Sequence, residues 1–361
     1  MRWVAGLALA TLASTSAPAQ ERTVNFYNWS NYIAPGVLDA FTKETGIKVV
    51  YDTFDANETL ETRLLAGRSG YDLVVPSAYF LQRQIGAGIF QTLDKARLPN
   101  LANAWPQVTA RLAIYDPGNA HAVNYMWGTT GIGINVDKVK ERLGADAELN
   151  TWSIVFDPEK ASKLADCGIY MLDTVDEILP AALNYLGLDP DSKDTEDFAK
   201  AEELLLTVRP FVKKFHSSEY INALANGDIC MAVGWSGDIL QARDRAAEAE
   251  QGVTVEYVIP KEGALMWFDN MAIPADAPHV EEALEFLNYI MKPEVIAKAS
   301  NYVYYANGNA ASKPFLNEDV IGDPAIYPDE DTVNRLYTTT PKDQRTQRSM
   351  TRLWTKVVTG Q

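Results

Sequence analysis

Aromatic residues stand beside carboxylates or amides at four places in the chain: Tyr27-Asn28-Trp29-Ser30-Asn31-Tyr32, Trp235-Ser236-Gly237-Asp238, Trp267-Phe268-Asp269-Asn270 and Tyr302-Val303-Tyr304-Tyr305. A fifth group, Asp173, Asp176 and Glu177, follows the apolar run IYML. Singly, each is what rim packing at a strand end produces, and Asp238 or Glu177 equally fits a first-turn acid favoured by the helix dipole. Together they share a chemistry. An alkyl ammonium takes a carboxylate for its charge and an aromatic face for cation–π contact, while its methylenes take flat apolar walls. Acids spaced along a slot would suit a linear di- or triamine, each buried carboxylate being compensated by its ligand. An anion site would need Arg or Lys beside these clusters, and none stands there.

Other chemistries find less support. His121, His216 and His279 are far apart, and there is no HExxH, CxxC or acidic calcium loop, so no metal or other cofactor is expected. The stretch GWSGD has Asp238 where a nucleophile elbow needs its last glycine, and GIG at Gly131–Gly133 lacks the third glycine of a phosphate loop. A carboxylate-pair hydrolase using Glu177, Asp238 and Asp269 is a separate class, told apart by turnover of its ligand. With 48 acidic against 32 basic residues, a formal charge of −16 repels phosphate backbones and argues against a nucleic-acid partner.

The elements that must position these clusters alternate between strand and helix, which is the α/β class. VNFYNW reads as a strand, PGVLDAFTKETG as a helix closed by Gly46, IKVVYD as a strand, and NETLETRLLAG as a helix capped by Asn57. YDLVVPS reads as a buried strand before a helix over LQRQIGAG, and the grammar returns in GDICMAVGW, SGDILQARDRAAEAEQG and VTVEYVIP. Passages between two lobes are expected at Gly128–Gly133 and near Gly252. This places one discontinuous lobe at 20–128 plus 252–302 and the other at 129–251 plus 303–361, with the ligand cleft between them.

Residues 1–19 read as a signal peptide: Arg2, the apolar run Trp3–Leu12, then Ala17-Pro18-Ala19 in the form cleaved by signal peptidase. The apolar run is short of the ~20 residues that span a bilayer, and no cysteine near the cut offers a lipid anchor. A freely diffusing periplasmic protein is expected. In that oxidising compartment Cys167 and Cys230 favour a disulfide, with two separate buried thiols as the alternative.

The chain resembles the periplasmic polyamine-binding proteins of ABC importers, the putrescine and spermidine receptors among bacterial extracellular solute-binding proteins. The resemblance runs through FYNWSNYIAPGVLDAFTKETGIKV, YDLVVPSAYFLQRQ, YMWGTTGIGINVDKV, YLGLDP, FHSSEYINALANGDIC, VGWSGDI, IPKEGA and YYANGNA. It implies a two-lobed type II periplasmic binding protein fold, a polyamine held between the lobes, delivery to an inner-membrane permease, a monomer, and no catalysis. The ligand set it implies is Trp29, Ser30, Asn31, Tyr32, Ser77, Tyr79, Glu177, Ser217, Trp235, Asp238, Trp267, Asp269 and Tyr305, with Asp238, Asp269 and Glu177 as ammonium partners. Cys167 and Cys230 match positions that resemble the family's bridged pair. Asn31 departs from the putrescine-type pattern, where an acid is usual. Tyr79 and Trp267 stand where putrescine receptors tend to carry Ser and Phe and spermidine receptors these larger rings, which favours spermidine, with putrescine or dual binding next. A polyamine-loaded sensor that docks on a membrane signalling protein is the alternative role.

Overall fold

The computed structural model describes residues 21–361, so the expected signal peptide lies outside the described residues. Among the described residues no helix is long and apolar enough to cross a membrane. Ten strands of the described residues form one continuous network: β1 (Thr23–Trp29), β2 (Lys48–Phe54), β3 (Leu73–Val74), β4 (Ala122–Asn135), β5 (Ile169–Met171), β6 (Val212–Phe215), β7 (Met231–Trp235), β8 (Val255–Val258), β9 (Leu265–Ala272) and β10 (Ala306–Asn307). Their order is β2-β1-β3-β9-β4-β7-β5-β6, with β8 and β10 also paired to β4. Both outer parts are parallel, β1 with β2 and β3, and β5 with β6 and β7, as strands joined through helices must be. The two centre strands, β4 and β9, run antiparallel to each other.

Two apolar cores flank this centre. One gathers Phe26, Phe41, Leu73, Tyr125, Phe286 and Ile296; the other gathers Trp152, Phe156, Ile178, Leu205, Met231 and Leu353. β4 serves both. Its residues Ala122–Thr130 pair with β9, and Thr130–Ile134 pair with β7, so the chain passes between lobes within one fully buried strand rather than through a loop. The glycines in this stretch make room for neighbouring side chains. A Cβ on Gly128 would lie 2.6 Å from the Trp267 ring, and one on Gly133 would lie 2.9 Å from Ile239.

Several expectations change. β8 pairs antiparallel with Ile132–Asn135 and packs with the second core, whereas a passage near Gly252 would assign it to the first lobe. Residues 303–361 do not all join the second lobe: β10 pairs with Met126 and Trp127, and Leu316, Val320 and Ile326 pack with Trp127, Met266 and Phe268. The C-terminal helix Gln344–Thr359 does reach the second core, through Met350, Leu353 and Val357. The strand expected over residues 71–77 keeps only Leu73–Val74, because the chain turns away from β1 and the Pro76 carbonyl accepts instead from the backbone N–H of Asn270 in β9. The following helix therefore begins early, at Ala78. Asn57 is the first helical residue and not the cap, since its amide is engaged by Ser77. Cys167 and Cys230 form a disulfide with Cα atoms 5.4 Å apart, closing a separation of 63 residues. On a polymer model such a link removes roughly 4 kcal/mol of unfolded-state entropy.

Candidate ligand-binding cleft

Between the two cores lies a hollow of about 800 Å³, open mouth included, and every residue of the expected ligand set lines it. Trp29 ends β1, and Ser30, Asn31 and Tyr32 form the turn after it; Ser77 and Tyr79 sit at the start of the helix Ala78–Gly86. Glu177 belongs to the helix Val175–Tyr185, Ser217 follows β6, Trp235 ends β7, and Asp238 lies in the first turn of the helix Ser236–Glu248. Trp267 and Asp269, two apart on β9, share one face of the sheet, and Tyr305 follows the helix Pro293–Val303. Ligands in α/β sheets settle at the carboxyl ends of parallel strands, and β1, β2 and β7 all end at this hollow.

Six acids line it, and of these Asp269, Asp238 and Glu177, the three expected as ammonium partners, are held by hydrogen bonds from neutral groups. Asp269, 5% exposed, accepts from the Tyr32 hydroxyl at 2.9 Å and the Ser77 hydroxyl at 2.6 Å. Ser77 is fixed in turn, its hydroxyl accepting from Asn57 Nδ2 and its N–H donating to Asn57 Oδ1, both at 3.0 Å. Asp238, half-buried, accepts from Tyr220 at 2.8 Å and Tyr305 at 2.9 Å. Glu177, 4% exposed, accepts from the Thr130 hydroxyl. Loss of water pushes Asp269 and Glu177 up to about 7 and Asp238 up to about 6; the bonds from Ser77 and Tyr32, from Thr130 and Trp235, and from Tyr220 and Tyr305 respectively oppose that rise without cancelling it. Among the described residues no basic group hydrogen-bonds these three carboxylates, so each gains from an incoming positive charge.

Rings complete the walls. Trp29 meets Phe54 at 4.6 Å and Trp235, from the other lobe, edge-on at 6.0 Å. Trp267 and Tyr32 meet Tyr305 edge-on at 5.1 and 5.4 Å. Glycines admit the rings: a Cβ on Gly237 would lie 2.6 Å from Tyr305, and one on Gly234 would lie 2.6 Å from Tyr220. The clearance implies that Gly234→Ala tilts the phenol that holds Asp238. A loss of about tenfold or more in ligand affinity with the disulfide intact is expected, measured by calorimetry, as a displaced charge contact costs 1–3 kcal/mol.

Phe54, Asp55, Asn57, Glu58, Asp173, Thr174, Ser218 and Ile221 also line the hollow and were not in the expected set. The parallel pairing of Trp29 with Phe54 would have located Phe54 and the residues after it, had the register been known. Asp173 stood in the acidic group already singled out. Its carboxylate accepts from Trp354 Nε1 at 3.1 Å and its N–H donates to Ser217 at 3.2 Å. Asp176, from the same group, faces a separate small hollow with Arg83 and Lys342. Asn31 is exposed and sits at φ 56°, a left-handed position that Asn tolerates better than most residues.

Two α/β lobes sharing a central strand, with an acid- and aromatic-lined cleft between them, have the architecture of a solute receptor. The chain belongs to the bacterial extracellular solute-binding protein family, whose model matches residues 36–328. It is 53% identical to the putrescine-binding periplasmic protein SpuD of Pseudomonas aeruginosa, over 97% of this chain and 95% of that protein. It is 50% identical to the putrescine-binding periplasmic protein PotF of Escherichia coli, over 99% of this chain and 98% of that protein. The solved structure of the spermidine/putrescine substrate-binding protein PotD from Streptococcus pneumoniae superposes with a TM-score of 0.78 at 29% identity, covering 94% of this chain and 99% of that one. The mixed α/β fold is that of the periplasmic binding proteins.

Proposed function

We propose that this chain is the periplasmic substrate-binding component of a polyamine ABC importer, taking one polyamine into the cleft and presenting it to an inner-membrane permease as a monomer. The reading is carried by Asp269, Glu177 and Asp238, three acids facing one aromatic-walled hollow and held by neutral donors. Such acids gain from an incoming ammonium what burial has taken from them. The relatives at 53% and 50% identity bind putrescine by name, which makes putrescine the first ligand to test. Spermidine is the second reading, because Tyr79 and Trp267 both line the slot and match the larger rings of the spermidine type. The two lobes are best divided at Thr130 of β4 and between β8 and β9, with the C-terminal helix in the second lobe.

Calorimetric titration of the purified protein with putrescine, spermidine, cadaverine and agmatine tests the reading. One bound equivalent is expected. At free ligand one hundred times Kd the stabilisation is ~2.7 kcal/mol, a rise in Tm of several degrees. No heat and no rise with any amine would refute it. Trp267→Phe separates the two ligands: opening space beside Tyr305 is expected to shift the affinity ratio toward the shorter diamine, and an unchanged ratio would remove the case for spermidine.

A further inference from the structure

Opposite Asp269 the β4–β9 ladder is irregular. Asn124 pairs with Asn270 and Met126 pairs with Asp269, which leaves Tyr125 as an extra residue on β4. A bulge of this kind breaks the ladder locally and re-aims the neighbouring side chains. Here one buried amide closes it. Asn124, 6% exposed, donates from Nδ2 to the Asp269 carbonyl and to the Met126 carbonyl, each at 3.0 Å, and lies 3.4 Å from Asn270 Oδ1. Gly308 provides the room, since a methyl there would collide with the Asn124 side chain.

The consequences of the bulge converge on one carboxylate. The extra residue, Tyr125, is fully buried and donates its hydroxyl to the Tyr32 carbonyl at 2.7 Å; Tyr32 then donates its own hydroxyl to Asp269. On the other side the Asn270 N–H donates to the Pro76 carbonyl at 3.0 Å, which sets the chain just before Ser77, the second donor to Asp269. The backbone of Asp269 and both hydroxyls on its carboxylate are therefore fixed through the same irregularity.

We infer that Asn124 is a positioning residue of the cleft: by closing the β4 bulge it aims the Asp269 carboxylate at the ammonium of the ligand. It does not line the cleft. The inference rests on the polyamine reading, and a double-mutant comparison in the full chain separates the two. Asn124→Ala is expected to weaken putrescine binding about tenfold or more, and in an Asp269→Asn background to change it by less than about twofold, because coupled residues are not additive. Equal losses in both backgrounds would mark a general packing defect and overturn the inference, as would no loss beside an intact Asp269. If Asn124→Ala does not fold, Asn124→Ser, which keeps a shorter donor, and Gly308→Ala, which displaces the amide, carry the same comparison with the same two outcomes. Wild-type protein that binds no polyamine overturns the functional reading itself; wild-type binding with an indifferent Asn124 overturns this inference alone.

Discussion

Asp269→Asn is expected to cost on the order of 30- to 1,000-fold in polyamine affinity while leaving the protein folded. A desolvated ammonium deprived of its counter-charge loses about 2–4 kcal/mol, much of it the penalty of leaving one charge buried and unmatched. The carboxylate accepts from Tyr32 on one oxygen and Ser77 on the other; with Asn one hydroxyl can donate to the amide oxygen and the other turn to accept from the amide N–H, so the substituted site need not strain the fold. The same substitution is expected to raise the Tm of the ligand-free protein at pH 8. Burial pushes Asp269 up to about 7, so its ionised form is the costly one in the empty site, and removing it relieves that cost. Weaker binding together with a higher Tm is a pairing that a packing defect does not produce. Wild-type affinity in the variant, measured by calorimetry, would sink the assignment of Asp269 as an ammonium partner. Asp238→Asn follows the same logic more weakly, because Asp238 is half-buried and its rise is smaller.

The parts of this site that depend on local chemistry were legible in the sequence. The paired motifs Trp235–Asp238 and Trp267–Asp269 announced acid and ring together, but the strand Leu265–Ala272 that puts Trp267 and Asp269 on one face was not among the strands read from the sequence. The parts that depend on register were not. Phe54 and Asp55 reach the cleft because β2 lies in register beside β1, a pairing that no local signal encodes. Asn57 read as a helix cap because Asn favours that role. Its side chain was drawn instead to Ser77, twenty residues on, where two hydrogen bonds outweigh one cap. Thr130 and Tyr220, which hold two of the three acids, stand in stretches that carry the family resemblance, yet nothing in their local pattern marks them as donors.

Gly128, Gly131 and Gly133, in the stretch expected as a passage between lobes, serve close packing in β4 against Trp267, Tyr257 and Ile239. A strand that changes partners at Thr130, pairing with Leu265 on one side and Trp235 on the other, gives the lobes a common element rather than a loose link. Thr130 also donates to Glu177, so one of the cleft acids is attached to the point where the two lobes meet.

The titration of these acids gives the second large prediction, a polyamine affinity that rises with pH between about 5 and 8. In the empty cleft Asp269 and Glu177 are pushed up to about 7 and Asp238 up to about 6, by burial in each case. The native ligand-free protein therefore holds protons that the unfolded chain, with carboxyls near 4, has already lost, and its stability falls as pH rises from about 4 to 7. A bound ammonium favours the ionised carboxylate and lowers these values again, so binding expels protons and strengthens as pH rises through the same window. Each acid below its midpoint contributes about one decade of affinity per pH unit, so acidification from pH 7.5 to 5.5 should weaken binding on the order of 10² to 10³-fold. Calorimetry at pH 6 in two buffers of different ionisation enthalpy should show proton release on binding, and Asp269→Asn should reduce the number released. A Kd that stays constant from pH 5 to 8 with no protons released would mean that the three acids are already ionised in the empty cleft, and that its attraction for cations does not arise from burial.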